Sequence, residues 1–211
     1  MRADLRTVVF AALFGTICAV ILTVVGRWAA PHRAANEKGE EMRNYLTALG
    51  VPFDAKVSAG DLISVFDRNV RVGTNGNLVL YTYVPEGTTD PEAIAVSFAG
   101  MGLWGPVKGV LALEPDLKTI RGLRFYQQEE TPGLGGEIGS DWFVGQFKGK
   151  RIVDDSDEPG FKLVKQGTTP DRNSVDAITG ATMTSDRVQN MLQDLARKVA
   201  AERMNRHGRS E

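Results

Sequence analysis

The stretch Asp176-Ala-Ile-Thr-Gly-Ala-Thr-Met-Thr-Ser185 decides how this sequence is read. A branched strand end runs into Thr-Gly-Ala-Thr, and an amphipathic helix follows. Val188, Met191, Leu192, Leu195 and Val199 form that helix's one apolar stripe. Thr184, Ser185 or Asp186 can supply its N-cap. An ordinary strand–turn–helix junction has this form, yet three threonines and a serine exceed what one cap requires. A hydroxyl at this junction lies near free backbone N–H groups and the positive end of the helix dipole, which together favour a phosphate. Gly180 and Ala181 leave room around Thr182.

Upstream of this stretch, two glycine-rich segments invite a functional reading. Glu130-Thr-Pro-Gly-Leu-Gly-Gly-Glu137 is either a bland loop or a place where the backbone approaches a bound group closely, because Gly133, Gly135 and Gly136 remove side chains. Gly100-Met-Gly-Leu-Trp-Gly105 matches the dinucleotide-binding pattern GxGxxG. That pattern requires a helix next, whereas Pro106-Val-Lys-Gly-Val-Leu-Ala-Leu reads as a strand, so the segment is a glycine-rich turn. Trp104 within it presents a planar ring that can face a flat ligand. Asp154, Asp155, Asp157 and Glu158 fail the calcium-loop pattern, since Pro159 stands where Asp or Asn is needed; they read as a solvated turn, and no metal site is expected.

Farther out, Thr7 to Gly26 is an uncharged run of 20 residues between Arg6 and Arg27. At 1.5 Å per residue it spans about 30 Å, the thickness of a bilayer's hydrocarbon core. It exceeds the usual signal-peptide apolar region of roughly 7–15 residues, and Ala29-Ala30 is followed by Pro31. An uncleaved anchor is the favoured reading. Ala34 to Leu49 has helical periodicity through Met42, Tyr45, Leu46 and Leu49, and Leu62, Val65 and Phe66 hint at a short helix. Strands are expected at 77–84, 93–98 and 161–164. Residues 107–113 and 119–126 read as a hairpin turning at Pro115-Asp116, and 141–147 as a short helix. The fold class is α+β: one N-terminal transmembrane helix, then a largely antiparallel sheet with packed helices. The expected division is a tail at 1–6, an anchor at 7–28, a helical connector at 29–50, a domain at 51–206 and a tail at 207–211.

Composition narrows the chemistry. The chain has 211 residues and a formal charge of −1, so no nucleic-acid surface is implied. Cys18 is the sole cysteine, which excludes a disulfide framework and a CxxC site within the chain. His32 and His207 lie near the two ends, so the region between them works without imidazole. A Ser-His-Asp triad and an HExxH site are excluded, and no catalytic residue is assigned.

Asp176-Ala-Ile-Thr-Gly-Ala-Thr182 resembles the flavinylation motif D-x-x-[ST]-G-A-[ST] of FMN-binding domains. The resemblance implies FMN held covalently through a phosphoester on Thr182, installed by a flavin transferase that uses FAD and Mg²⁺. Glu130-Thr-Pro-Gly-Leu-Gly135 is similar to that family's flavin-contacting loop. Residues 102–113, Gln146-Phe-Lys-Gly-Lys150 and the single anchor resemble the C subunits of the Na⁺-translocating NADH:quinone reductases. A homologous G-type flavin subunit occurs in Rnf-type electron-transport complexes, usually with tyrosine where this chain has Leu103-Trp104. The likeness covers the anchor, the helix after it and residues from about 95 to 200.

The resemblance further implies an electron carrier in a sodium-pumping, membrane-bound oxidoreductase of the bacterial inner membrane, single-pass, with its soluble domain on the extracytoplasmic side. Its partners would be the other membrane and peripheral subunits, which would hold the NADH, quinone and Na⁺ sites. The cofactor residues carried over are Asp176, Thr179, Gly180, Ala181, Thr182 and Thr184, with Trp104, Glu130, Thr131, Gly133, Leu134 and Gly135. The flavin ring is expected between the 130–136 loop and the Trp104 turn, with Leu134 as an apolar contact. Backbone N–H groups near Thr184, with Lys148 or Lys150, would meet the phosphate. A membrane-anchored FMN-binding sensor, a stand-alone flavin reductase and an anchored domain without cofactor are the competing readings.

Overall fold

The computed structural model describes residues 2–54, 56–75 and 78–207. Helix α1 runs unbroken from Arg2 to Leu49 and passes through Pro31. Its most apolar 18-residue window has a mean hydropathy of 2.7 and none of it is buried, so among the described residues one helix is long and apolar enough to cross a membrane. The expected anchor and connector are thus one rod with no break between 28 and 29. Its last turns change character: Met42, Tyr45, Leu46, Ala48 and Leu49 are buried in the domain. Gly50, at φ +74°, ends the helix as a left-handed stop.

After α2 (Ala59–Asn69) comes a five-stranded antiparallel sheet in sequential order. Its strands are β1 (Val70–Asn75), β2 (Leu78–Tyr83), β3 (Ala93–Met101), β4 (Pro106–Leu113) and β5 (Ile120–Gln127). Strand β1 is absent from the sequence expectation: Val70-Arg-Val-Gly-Thr-Asn has only two apolar residues and one glycine, and its pairing with β2 is what defines it. The strand expected at 77–84 is β2; Asn77 lies outside the described residues. The β4–β5 hairpin turns where expected. Asp116 Oδ1 accepts from the N–H groups of Lys118 (2.8 Å) and Thr119 (2.9 Å), and Oδ2 accepts from the Thr119 hydroxyl at 2.7 Å.

Period-two alternation sends the sheet's side chains to two different cores. Leu80, Ile94, Val96, Phe98, Val107, Leu111 and Leu123 face the C-terminal half of the chain. Ala93, Ala95, Val110 and Ala112 face α1 and α2. Small residues dominate this second face because α1 packs close: a Cβ on Gly122 would stand 2.7 Å from the Ala48 carbonyl oxygen. Tyr45 fills the centre of this core, 4.5 Å from the Tyr81 ring and 5.8 Å from Phe66, and burial pushes its hydroxyl pKa up.

The first core is closed by a 3₁₀ turn (Gly135–Gly139), α3 (Asp141–Gly145), the parallel pair β6 (Lys162–Val164) and β7 (Ser174–Asp176), and α4 (Thr182–His207). Helix α4 lays Val188, Leu192, Leu195 and Val199 of the stripe read from the sequence against the sheet, with Met191 partly buried and Ala196 added to the buried face. The turn at 154–158 is more than solvated: Asp157 pairs with Lys118 and with Arg151, the latter at 2.9 Å. Among the described residues no cluster of His, Cys, Asp and Glu could hold a metal.

Candidate functional site

Three loops that lie far apart in sequence meet at the start of α4. The first is the hairpin turn between β3 and β4. Here Gly100 pairs with Val107 and Met101 with Pro106, and the Gly102 N–H donates to the Gly105 carbonyl at 2.8 Å. The GxGxxG match is therefore a tight turn between strands. The second is the 130–136 loop, closed by the Thr131 carbonyl, which accepts from Leu134 N–H (3.1 Å) and Gly136 N–H (2.9 Å). Gly133 stands at φ +73°, a conformation that glycine adopts freely. The third is the Thr179–Thr184 turn, where Gly180 takes φ +79°.

Glu130 joins the three. Its side chain is 4 % exposed. Oε1 accepts from the Leu103 N–H at 2.7 Å and the Trp104 N–H at 3.1 Å. Oε2 accepts from the Thr184 hydroxyl at 2.5 Å. A buried carboxylate is tolerated when hydrogen bonds replace its hydration, and all these donors come from the protein. Two glycines make room for it. A Cβ on Gly102 would collide with Glu130 Oε1, and one on Gly135 would stand 2.6 Å from Thr184 Oγ1 and 2.8 Å from Glu130 Oε2. Leu134 closes the junction on another side: a Cβ on Gly180 would lie 3.2 Å from its Cδ2.

The Thr179–Thr184 turn is built by side chains that the cap expectation assigned otherwise. Helix α4 starts at Thr182, ahead of all three expected cap residues. Thr184 is 2 % exposed and committed to Glu130, so a tertiary bond replaces the local cap. Ser185 accepts from the Ile178 N–H at 3.2 Å and ties the turn to its helix. The Ser185 N–H donates to the Ala181 carbonyl at 2.9 Å. The N–H groups of Thr182, Met183 and Thr184 precede that bond and have no partner within the helix. Thr182 is exposed at this positive end of α4, so its hydroxyl is open to solvent while that of Thr184 is not.

Other sequence-selected residues have separate positions. Asp176 ends β7, its N–H and carbonyl held by Gln146 at 3.0 and 3.4 Å, while its Oδ1 is buried without a hydrogen-bond partner. Thr179 is exposed and its hydroxyl donates to Gln166 Oε1 at 2.5 Å. Thr131 contributes its carbonyl to the loop, and its side chain is exposed. Ala181 is buried beneath the turn. Ahead of β7, the Ser174 hydroxyl donates to Asp171 Oδ1 at 2.6 Å, and this bond with that from Asn173 holds the Asp171 carboxyl below the usual aspartate range. Lys150 donates to the Asp171 carbonyl at 2.5 Å, and Lys148 lines a cavity of about 700 Å³ with Arg121, Arg124 and Asp141.

Sequence reasoning missed Gly102 and Leu103, which build the carboxylate's cradle, and Gln146, which pins Asp176. Gly102 is visible in the sequence as part of a nucleotide-loop match that the following strand rules out and of the 102–113 resemblance, neither of which assigns it a role. The bonds to Leu103 and Asp176 run through backbone atoms and leave no trace in the sequence. The chemical capacity of the junction is now defined. One exposed hydroxyl stands at a helix N-terminus, and the two loops that meet it there carry exposed Trp104 (69 %) and Leu134 (44 %). This arrangement suits a planar, apolar group bearing a phosphate.

Residues 102–197 match the FMN-binding domain family, a span that holds all three loops of the site. The chain is 38 % identical over 108 residues to the C subunit of the Na(+)-translocating NADH-quinone reductase of Vibrio anguillarum, covering 51 % of this chain and 42 % of that one. It is 45 % identical over 93 residues to the corresponding C subunit of Yersinia pestis, covering 43 % and 35 %. The matched segment spans less than half the length of these relatives. Among solved structures, the C subunit of the same kind of reductase from Parabacteroides distasonis superimposes with a TM-score of 0.65 at 26 % identity, over 77 % of this chain and 90 % of that one. NqrC from Shewanella oneidensis shares the fold, with a TM-score of 0.70 at 22 % identity over 81 % and 99 %. The resemblance drawn from the motif and the α+β fold class are both borne out.

Proposed function

We propose that this FMN-binding-domain protein, similar to the C subunits of sodium-translocating NADH:quinone reductases, carries FMN as a phosphoester on Thr182 and serves such a complex as an electron carrier. The observation that supports this most is the junction itself: an exposed hydroxyl on the first residue of α4, where the loops bearing exposed Trp104 and Leu134 converge through Glu130, with the competing Thr184 hydroxyl buried. Attachment forms the Thr182 Oγ–phosphorus bond as the pyrophosphate bond of FAD breaks; AMP leaves and the hydroxyl proton is released. A flavin transferase would catalyse this step.

The residues fit their roles on physical grounds. The N–H groups of the first turn of α4 offer hydrogen bonds to the phosphate, whose negative charge the helix dipole favours. Leu134 and Trp104 offer apolar and aromatic surface for a ring. FMN, once bound, supplies the exchange of electrons one or two at a time. The chain itself moves no proton and binds no substrate in this role, which agrees with a site that contains no histidine. The apolar segment 7–28 would hold the protein in the bacterial inner membrane, with the 51–206 domain on the extracytoplasmic face. There a lost cofactor could not readily be replaced, and a covalent bond removes that dependence. Other membrane and peripheral subunits would supply the NADH, quinone and Na⁺ sites.

The test is fluorescence under ultraviolet light of the denatured protein in a gel, after expression with the transferase. The parent band should fluoresce. Thr182→Ser should keep the signal because it keeps the hydroxyl, and Thr182→Val should lose it. A fluorescent Thr182→Val band would refute the assignment of the acceptor. Co-purification with membrane subunits and NADH-dependent quinone reduction separate an electron carrier of such a complex from an anchored FMN sensor.

A further inference from the structure

We propose that Glu130 is a positioning residue that fixes the Trp104 turn to the first turn of α4, and thereby sets the aromatic wall presented to a group on Thr182. The proposal deepens the FMN reading of this site and rests on it for the identity of that group. The flavin-contacting role that the family resemblance gives to Glu130 does not suit its geometry, because the carboxylate is turned inward and occupied. One oxygen takes the Leu103 and Trp104 N–H groups, and the other takes the Thr184 hydroxyl. Thr184 lies two residues beyond Thr182 on α4. The link from the Trp104 backbone to the acceptor helix is therefore one side chain long.

Trp104 has special need of such a link. Its ring is largely exposed and stands in a turn between two glycines, Gly102 and Gly105, so packing around the ring does little to hold it. What orients it is the backbone of the turn, and two of that backbone's donors end on Glu130. Hydrogen bonds to an ionised carboxylate are roughly twice as strong as neutral ones. The space for the clamp is reserved, since a side chain at Gly102 or Gly135 would intrude on the carboxylate. Neither glycine has a positive φ, so at both positions the cradle, and not backbone conformation, is what a side chain would violate.

The experiment uses the full chain in detergent, with Trp28→Phe and Trp142→Phe so that Trp104 is the single tryptophan. Its fluorescence anisotropy and its quenching by acrylamide are measured in protein made without the transferase, and flavin fluorescence in protein made with it. Glu130→Ala should lower the anisotropy, raise the quenching and unquench the flavin. Glu130→Gln, whose amide can accept from the turn and donate to Thr184, should restore all three. Thr184→Val, which cuts only the link to α4, should give an intermediate loosening, and it decides the matter where Glu130→Ala does not fold. Trp104 signals equal to the parent in either folded variant would overturn the proposal, as would a Gln variant as loose as Ala. Loosened Trp104 in protein that never takes up flavin would leave the clamp standing and refute the FMN reading instead.

Discussion

Replacing Gly135 with alanine strikes a crowded point of the site, where Glu130 meets Thr184. The added methyl would stand 2.6 Å from Thr184 Oγ1, 2.8 Å from Glu130 Oε2 and 3.0 Å from Glu130 Cβ. These atoms belong to side chains, but both side chains are buried and bonded to each other, so neither can swing aside without breaking that bond. A hydrogen bond to a charged group contributes about 1.5–3 kcal/mol, and overpacking costs about 1–3 kcal/mol. The expected loss is about 3 kcal/mol, or roughly 6–12 °C in Tm for a domain of this size. Gly133→Ala is the control. No atom lies within 4 Å of its added methyl, and only the positive φ of +73° opposes it, which costs about 1 kcal/mol. The assay is thermal unfolding followed by circular dichroism, on protein made without the transferase so that flavin does not contribute. A Gly135→Ala variant as stable as the parent, or more stable than Gly133→Ala, would refute the packing argument.

Asp116→Ala removes the acceptor for three donors in the β4–β5 turn and should destabilise the protein by about 1–2 kcal/mol at neutral pH. Burial of Asp116 opposes ionisation, but the bonds from Thr119 and Lys118 outweigh it and lower the pKa. A carboxyl with a lowered folded-state pKa stabilises fully above its unfolded value of about 3.9 and loses that contribution as pH falls through the folded value. The gap between parent and variant should therefore close in acid unfolding curves only below that value; a gap that closes near neutrality would contradict the assignment. Ser140→Ala removes the side-chain cap on the Phe143 N–H at 3.3 Å and should cost about 1 kcal/mol in chemical denaturation. Leu134→Ala, at a half-exposed position, should leave Tm unchanged while altering the visible circular dichroism of attached flavin; an unaltered flavin spectrum would remove Leu134 from the ring's surroundings.

How far the sequence reaches can be seen in particular elements. Helix α4, the β4–β5 hairpin and the apolar N-terminal helix each carry their own signal: a stripe, a branched run around Pro115-Asp116, and an uncharged span. Strand β1 and the 3₁₀ turn carry none, because the first is defined by its partner and the second is short and glycine-rich. The site divides in the same way. Thr182, Leu134 and Trp104 are legible as residue types in suggestive company. The convergence of their loops is not, since it depends on bonds from Glu130 to a backbone 26 and 27 residues away and to a hydroxyl 54 residues away. The cap expectation fails for the same reason: Thr184 has a better partner in space than any within its own turn.

The bond between Thr182 and the flavin phosphate is read by intact mass spectrometry of the full chain, made with and without a flavin transferase, followed by fragment mapping of the Thr182 peptide. One added FMN phosphoryl group is expected, found on Thr182 and absent without the transferase. A bare polypeptide mass in both preparations, or the group on any other residue, would contradict the assignment on which the functional reading stands.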